Sequence, residues 1–99
     1  MKKVNLGQKD IIHFVGIGGI GMSGLAQIMS NMGFRIQGSD QSKNKNTNSC
    51  SKSGIRIFIG HSAANVKNAT ILVKSTAIKK NNVELKYARK NKIPIYSRA

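Results

Sequence analysis

The chain has 99 residues, enough for one modest hydrophobic core but too few for two, so we expect a single domain. Its 17 basic and three acidic residues give a net charge of +14, which favours an anionic partner. Because the lysines are spread along the chain and aromatic residues are few, we expect no specific nucleic-acid surface. A single cysteine excludes an internal disulfide and is typical of the reducing cytoplasm.

The first third of the chain does not predict export or membrane contact. Residues 4–10 are polar and charged where a signal peptide needs an apolar stretch. Residues 11–34 carry no charge and are long enough to span a bilayer, but six glycines and several polar side chains make them too polar for a spanning helix. A strand, a turn and a helix account for this segment, so we expect a cytoplasmic protein.

Strand and helix signals alternate along the chain. The apolar run at residues 11–15 predicts a buried parallel strand, and further strands are predicted at residues 34–38, 55–59, 69–74 and 95–96. Helical spacing after the first glycines predicts a helix that Gly33 ends, with an inward face made of Met22, Leu25, Ala26, Met29 and Met32.

Two further helices are predicted between the later strands. The polar segment 41–53 offers little apolar pattern, and we expect either a short helix near residues 46–53, ended by Gly54, or a mobile loop. Residues 82–91 predict a basic helix with Val83, Tyr87 and Ala88 facing inward. The order of elements predicts an α/β fold: a three-layer, Rossmann-like open parallel sheet of about five strands with flanking helices.

A glycine-rich loop follows the first predicted strand. Residues 16–21 match G-x-G-x-x-G, with a strand before the motif and a helix after it. Gly16 permits the tight turn, Gly18 lets the backbone approach a pyrophosphate, and Gly21 allows close packing of helix and strand. N–H groups at the helix start would face the anion. The loop therefore predicts a nucleotide diphosphate site.

Three other features fall at the same edge of the predicted sheet. Asp40, 19 residues beyond Gly21, is placed to accept hydrogen bonds from ribose hydroxyls, although an aspartate in a strand-end turn would have the same position. His61 follows the third strand and is equally compatible with ligand contact or a solvated loop. Residues 75–78 follow the fourth strand. We expect His13, inside the first strand, to be structural.

Groups for chemistry are scarce in the sequence. It contains no pair of carboxylates, no His-Asp partnership for a serine, no Cys/His metal spacing and no G-x-x-x-x-G-K-[ST] loop. We therefore expect this chain to bind and orient a ligand without reacting with it.

Five segments of the sequence stand out together, at residues 13–24, 38–40, 59–61, 75–78 and 93–99, and the glycine stretch with its Met-Ser-Gly tail is more specific than a bare dinucleotide motif. In their order these segments resemble the Mur ligase family, and within it the enzymes that join L-alanine to UDP-N-acetylmuramate. Two departures are the lack of the family's leucines before Gly54 and Asn82-Val83-Glu84 in place of Asn-Pro-Glu.

The resemblance implies that residues 1–99 form one Rossmann-like UDP-sugar-binding domain of a cytoplasmic, three-domain ligase of peptidoglycan synthesis. In such an enzyme ATP activates the lactyl carboxylate as an acyl phosphate, which the amine of L-alanine attacks, with magnesium on the phosphates. The ATP-binding and C-terminal domains would lie outside this chain, which would itself hold no cofactor, metal or catalytic residue. The residues implied to hold UDP are Gly16, Ile17, Gly18, Gly19, Ile20, Gly21, Met22, Ser39, Asp40, His61, Ser75, Thr76, Ala77 and Ile78.

Other functions are compatible with the same residues. The spacing from Gly21 to Asp40 also suits an NAD-binding domain of an oxidoreductase, or of a nucleotide-sensing regulatory module. The positive charge would permit nonspecific nucleic-acid binding, which would not compete with a pocket for a nucleotide.

Overall fold

The computed structural model describes residue 7 and residues 9–98. Most of the polar N-terminal segment and Ala99, the last residue of the family resemblance, lie outside the described residues. The elements are β1 (Ile11–Val15), α1 (Met22–Asn31), β2 (Arg35–Asp40), α2 (Lys45–Lys52), β3 (Arg56–Ile59), a 3₁₀ helix (Ala63–Val66), β4 (Ile71–Ser75), α3 (Val83–Lys90) and β5 (Ile95–Arg98).

The five strands form one parallel sheet in the order β3-β2-β1-β4-β5. Successive strand residues point to opposite faces, so Phe14 packs in a cluster with α1 and α2, while Val15 packs with α3 and the 3₁₀ helix. Helices therefore cover both faces. The prediction of a three-layer, Rossmann-like parallel sheet is confirmed.

Each helix begins and ends at residues suited to that role. Gly21 and Gly33, with φ angles of 81° and 97°, flank α1, and both values lie in the left-handed region that favours glycine. At the start of α2, the side chain of Asn44 accepts from the Thr47 N–H while the Thr47 hydroxyl accepts from the Asn44 N–H. This capping box fixes the start of a helix that has almost no apolar side chains.

Several boundaries and faces differ from the sequence-based expectations. The second strand includes Asp40 as its last residue, whereas the sequence predicted that Asp40 follows the strand. The inward face of α3 is formed by Glu84, Leu85 and Ala88, with Tyr87 partly buried beside them as expected, whereas Val83 is 42% exposed. The reason is that Leu85 and Ala88 complete the second apolar cluster while Glu84 satisfies buried polar groups. Met32 is exposed because α1 ends before it.

Described residues contain no helix long and apolar enough to cross a membrane. The uncharged segment 11–34 is divided among β1, the glycine loop and α1.

Gly38 allows β2 to pass directly beneath the glycine loop. A Cβ atom at this position would lie 2.5 Å from Cδ1 of Ile17 and 2.9 Å from the carbonyl oxygen of Phe14. The second of these is a backbone atom in the central strand, so it cannot move aside without disturbing the sheet. The close contact between loop and sheet therefore requires glycine here.

We expect Gly38→Ala to lower the free energy of unfolding by about 1–3 kcal/mol, the usual cost of overpacking a filled interior. Gly24→Ala is the matched control, because the added methyl group would meet no atom within 4 Å other than the adjacent residues and the backbone of its own helix, and alanine favours the α1 helix by about 0.5–1 kcal/mol. Urea unfolding should thus show a lower free energy of unfolding for Gly38→Ala, and a higher one for Gly24→Ala, than for the parent chain. Equal stability of Gly38→Ala and the parent chain would contradict the packing described.

Candidate functional site

A cleft of about 230 Å³ lies at the carboxyl edge of the sheet. The connections that follow the neighbouring strands β1 and β4 run to opposite faces of the sheet there, toward α1 on one face and toward α3 on the other. Open parallel sheets bind ligands at such a point. The lining comes from the ends of four strands and comprises Gly16, Gly19, Asp40, Gln41, His61, Ser75, Ala77 and Ile78.

The glycine loop is held by β2 and by the turn after β4. The N–H groups of Gly16 and Ile17 both donate to the carbonyl of Ser39, at 2.9 and 3.0 Å. Gly16 has a φ of 84°, and an added Cβ would lie 3.1 Å from Cδ1 of Ile78 and 3.2 Å from Cβ of Ser75. The tight turn and the contact with the 75–78 segment both require glycine at this position.

The start of α1 leaves donors for an anion. Among the described residues, the N–H groups of Ile20 and Gly21 have no acceptor, and α1 has neither a side-chain cap nor an acidic residue in its first turn. Unpaired N–H groups and the helix dipole together favour negative charge at this end of the helix. A phosphate group fits both features.

Gly18 makes a different contact from the one expected. Its N–H donates to Oδ2 of Asp40 at 2.8 Å, so this N–H does not face the cleft as a free donor. The Gly18 carbonyl accepts from the side chains of Asn44 and Asn46, at 3.2 and 3.0 Å. The Gly18 peptide is thus clamped between β2 and α2, and Asp40 organises the loop in addition to bordering the cleft.

The predicted residues occupy three kinds of position. The cleft is lined by Gly16, Gly19, Asp40, His61, Ser75, Ala77 and Ile78, whereas Gly18, Gly21 and the exposed Thr76 do not line it. The side chains of Ile17, Met22 and Ser39 are buried, so Ile17 and Met22 could offer a ligand only their main-chain atoms. Ile20 is fully exposed at the loop tip.

Arg98 is a basic residue at the loop that no single sequence motif reveals. Its Nη2 would lie 3.5 Å from a Cβ at Gly21, so the guanidinium is beside the start of α1. Arg98 ends β5, one strand beyond β4, and its position follows from the pairing of Ser75 with Arg98 in the sheet. A guanidinium recognises phosphate oxygens well because of its charge and its planar set of donors.

A buried polar network lies beneath the cleft. The Glu84 carboxylate is inaccessible to solvent and accepts from Nε2 of His13 at 2.7 Å and from Oγ of Ser39 at 2.6 Å. Its other oxygen accepts from the Ser62 N–H at 3.1 Å and from Nδ2 of Asn65 at 2.8 Å. The expectation that His13 is structural agrees with this position.

Polar neighbours determine the ionisation of Glu84. Burial raises the pKa of its carboxyl, but the hydrogen bond and the electrostatic attraction of His13, together with hydrogen bonds from Ser39 and Asn65, outweigh burial and lower the pKa from 4.5 to about 2. The carboxylate is therefore charged at neutral pH. The Ser39 hydroxyl is not arranged as a nucleophile, because it is buried and because the carboxylate that accepts its hydrogen bond has a lowered pKa and is a weak base.

Fold and loop together define a Rossmann-like domain whose first helix begins with unpaired main-chain donors among the described residues. The family model described as "Mur ligase family, catalytic domain" matches residues 11–99. The chain belongs to the Mur ligase family.

The amino-acid sequence is similar to those of several known ligases. The chain is 53% identical over 88 residues to a UDP-N-acetylmuramate–L-alanine ligase of Methylorubrum populi, and 52% identical over 89 residues to that of Brucella anthropi. These segments cover 89% and 90% of this chain but only 19% of either relative, so the chain spans about a fifth of their length.

Two crystal structures share the fold. A UDP-N-acetylmuramate-alanine ligase from Thermotoga maritima matches with a TM-score of 0.85 and 40% identity, covering 89% of this chain and 20% of that one. A UDP-N-acetylmuramate:L-alanyl-gamma-D-glutamyl-meso-diaminopimelate ligase from Neisseria meningitides matches with a TM-score of 0.81 and 27% identity, covering 89% and 28%.

We expect the stability of the folded chain to depend on Glu84 at acid pH. The folded pKa of about 2 lies below 4.5, so the stabilising contribution is complete above about pH 4.5 and is lost as the pH falls toward 2. At about 1.4 kcal/mol for each pKa unit, the contribution is on the order of 3 kcal/mol. Urea unfolding at a series of pH values should show this loss in the parent chain and a much flatter dependence in Glu84→Gln.

Asp10→Asn is the control for that series. Asp10 also has a lowered pKa, caused by hydrogen bonds from Gly7 and Thr70, but it is only half-buried and lies at the opposite end of the sheet. The Asp10→Asn chain should keep most of the parent's acid dependence, because the Asp10 carboxylate has fewer hydrogen-bond donors than the buried Glu84 carboxylate and contributes less. An unchanged dependence in Glu84→Gln would mean that this carboxylate does not stabilise the fold.

Proposed function

We propose that this chain is the N-terminal, UDP-binding domain of an ATP-dependent ligase that joins L-alanine to UDP-N-acetylmuramate in peptidoglycan synthesis. The observation that carries the proposal is the glycine loop, whose Ile20 and Gly21 N–H groups have no acceptor among the described residues and lie beside Arg98. The names of the relatives supply the substrate and the reaction.

The diphosphate would bind at the start of α1. Two main-chain donors lie at the positive end of the helix dipole, and the Arg98 guanidinium beside Gly21 adds a full positive charge. Hydrogen bonds to a charged acceptor are about twice as strong as those between neutral groups, so these groups would supply much of the binding energy.

The uridine would lie in the cleft between the ends of β2, β3 and β4. Asp40 and His61 offer polar atoms on one side, and Ala77 and Ile78 offer an apolar surface on the other. This combination suits a nucleoside, which has an apolar ring face and hydrogen-bonding edges. Asp40 would have to share its carboxylate between the Gly18 N–H and a ribose hydroxyl.

The groups that react would come from other parts of the ligase. The described residues bring together no three His, Cys, Asp or Glu side chains able to hold a metal ion, and the sequence lacks a G-x-x-x-x-G-K-[ST] loop. Residues of this chain therefore do not fit ATP with magnesium. In the proposed enzyme this domain holds and orients the nucleotide, and L-alanine, ATP and magnesium bind elsewhere.

We expect UDP to bind the 99-residue chain and Arg98→Ala to weaken it about tenfold, equivalent to about 1.4 kcal/mol. The physical reason is loss of a cation beside the diphosphate. Arg35→Ala is the matched control, because Arg35 is an exposed arginine at the amino end of β2, away from the loop. Titration followed by amide NMR would measure both affinities and should show the largest shifts at Ile20 and Gly21.

NADH is the comparison ligand in this titration. Binding of NADH without binding of UDP at millimolar concentration would favour an oxidoreductase or a regulatory module and would contradict the proposal. Equal weakening by Arg98→Ala and Arg35→Ala would show that binding depends on net charge and not on the loop.

A further inference from the structure

The hydrogens of the buried network can be assigned from its geometry. The Ser39 Oγ and Glu84 Oε1 atoms are 2.6 Å apart, a distance that requires a hydrogen between two oxygens. Since the lowered pKa of Glu84 makes its carboxylate an acceptor only, the hydrogen belongs to Ser39. The hydroxyl group of Ser39 is thereby used as a donor.

His61 must then be the donor to Ser39. Its Nδ1 atom is 3.0 Å from Oγ of Ser39 and 3.4 Å from Oε2 of Glu84, both of which accept. A nitrogen that faces two acceptors carries the hydrogen, so neutral His61 is the Nδ1–H tautomer. Its Nε2 atom is at the other edge of the ring and has a lone pair. His61 lines the cleft, and this edge is the one turned away from the network.

His13 has the opposite arrangement. The amide nitrogen of Gln37 donates to the carbonyl of Asn65 at 2.8 Å, which fixes the orientation of the amide, and also lies 2.8 Å from Nδ1 of His13. Nδ1 of His13 is therefore an acceptor, and Nε2–H donates to Glu84. We therefore expect the two histidines to be opposite tautomers when neutral, Nδ1–H at His61 and Nε2–H at His13.

We propose that Glu84, acting through the Ser39 hydroxyl, is a positioning residue that holds His61 as the Nδ1–H tautomer, so that Nε2 accepts a hydrogen bond from an N–H or O–H group of the bound nucleoside. This inference rests on the proposed function for the identity of the ligand. It adds a specificity rule, because a ligand must offer a donor at this position. Uridine has two kinds of donor, the imide N–H of uracil and the ribose hydroxyls.

The first experiment needs no ligand. Long-range ¹H–¹⁵N correlation spectra of the ¹⁵N-labelled 99-residue chain at about pH 8, where an unperturbed histidine is neutral, distinguish the two tautomers. We expect protonated Nδ1 and bare Nε2 at His61, and the reverse at His13. The chain has only two histidines, so His61→Gln assigns the signals. His61 as the Nε2–H tautomer, or the same tautomer at both residues, would overturn the inference even if UDP binds.

Glu84→Gln tests the positioning role, with Asp10→Asn as control. An amide cannot accept at both ends, so we expect the His61 signals of Glu84→Gln to show a substantial Nε2–H fraction, while Asp10→Asn keeps the parent spectrum. A folded Glu84→Gln chain in which His61 remains wholly Nδ1–H would show that Glu84 does not set the tautomer. If Glu84→Gln does not fold, the spectrum of the parent chain still tests whether His61 is the Nδ1–H tautomer.

Three nucleotides identify the donor. Binding of UDP should shift the His61 Nε2 resonance while Nδ1 stays protonated. Loss of this shift with 3-methyl-UDP would indicate the imide N–H, and loss with 2′,3′-dideoxy-UDP would indicate a ribose hydroxyl. An Nε2 resonance that responds equally to all three bound nucleotides would contradict the accepted hydrogen bond. Failure of all three to bind would contradict the proposed function and leave the tautomer measurement standing.

Discussion

The buried carboxylate of Glu84 is the interaction on which the carboxyl edge of the sheet depends. It receives hydrogen bonds from β1 through His13, from β2 through Ser39, and from the segment after β3 through Ser62 and Asn65. Its own helix, α3, is joined in this way to the central strands. A charge without solvent is tolerated only when its hydrogen-bonding capacity is filled, so these four donors and the carboxylate require one another.

The glycine loop is built on the same edge by a different principle. Close packing at Gly16, Gly18 and Gly38, where a Cβ atom would meet neighbouring atoms, lets β2, α2 and the 75–78 turn contact the loop, and most of its polar main-chain groups bond within the chain. The Gly18 peptide holds the loop in place through its hydrogen bonds. The Ile20 and Gly21 N–H groups have no acceptor among the described residues and can donate to a ligand. The loop thus combines a rigid part with a part that can bind an anion, which is the preorganisation that a phosphate site needs.

Local patterns predicted the fold well and the interior of the site poorly. β1, the glycine loop and α1 follow from an apolar run and glycine spacing within about 20 residues, and these signals do not depend on distant partners. The helix α2 was uncertain because its start is set by the Asn44 and Thr47 side chains, not by an apolar stripe. Glu84 was missed because its partners His13 and Ser39 are 71 and 45 residues away, and Arg98 reaches the loop only through pairing of β4 with β5.

The most direct measurement of the central claim is a crystal structure of the chain with UDP-N-acetylmuramate. We expect the diphosphate within hydrogen-bonding distance of the Ile20 and Gly21 N–H groups and of the Arg98 guanidinium, with the uridine between His61 and the 75–78 turn. A nucleotide bound at the amino end of the sheet, or one whose diphosphate makes no contact with the start of α1, would contradict this account.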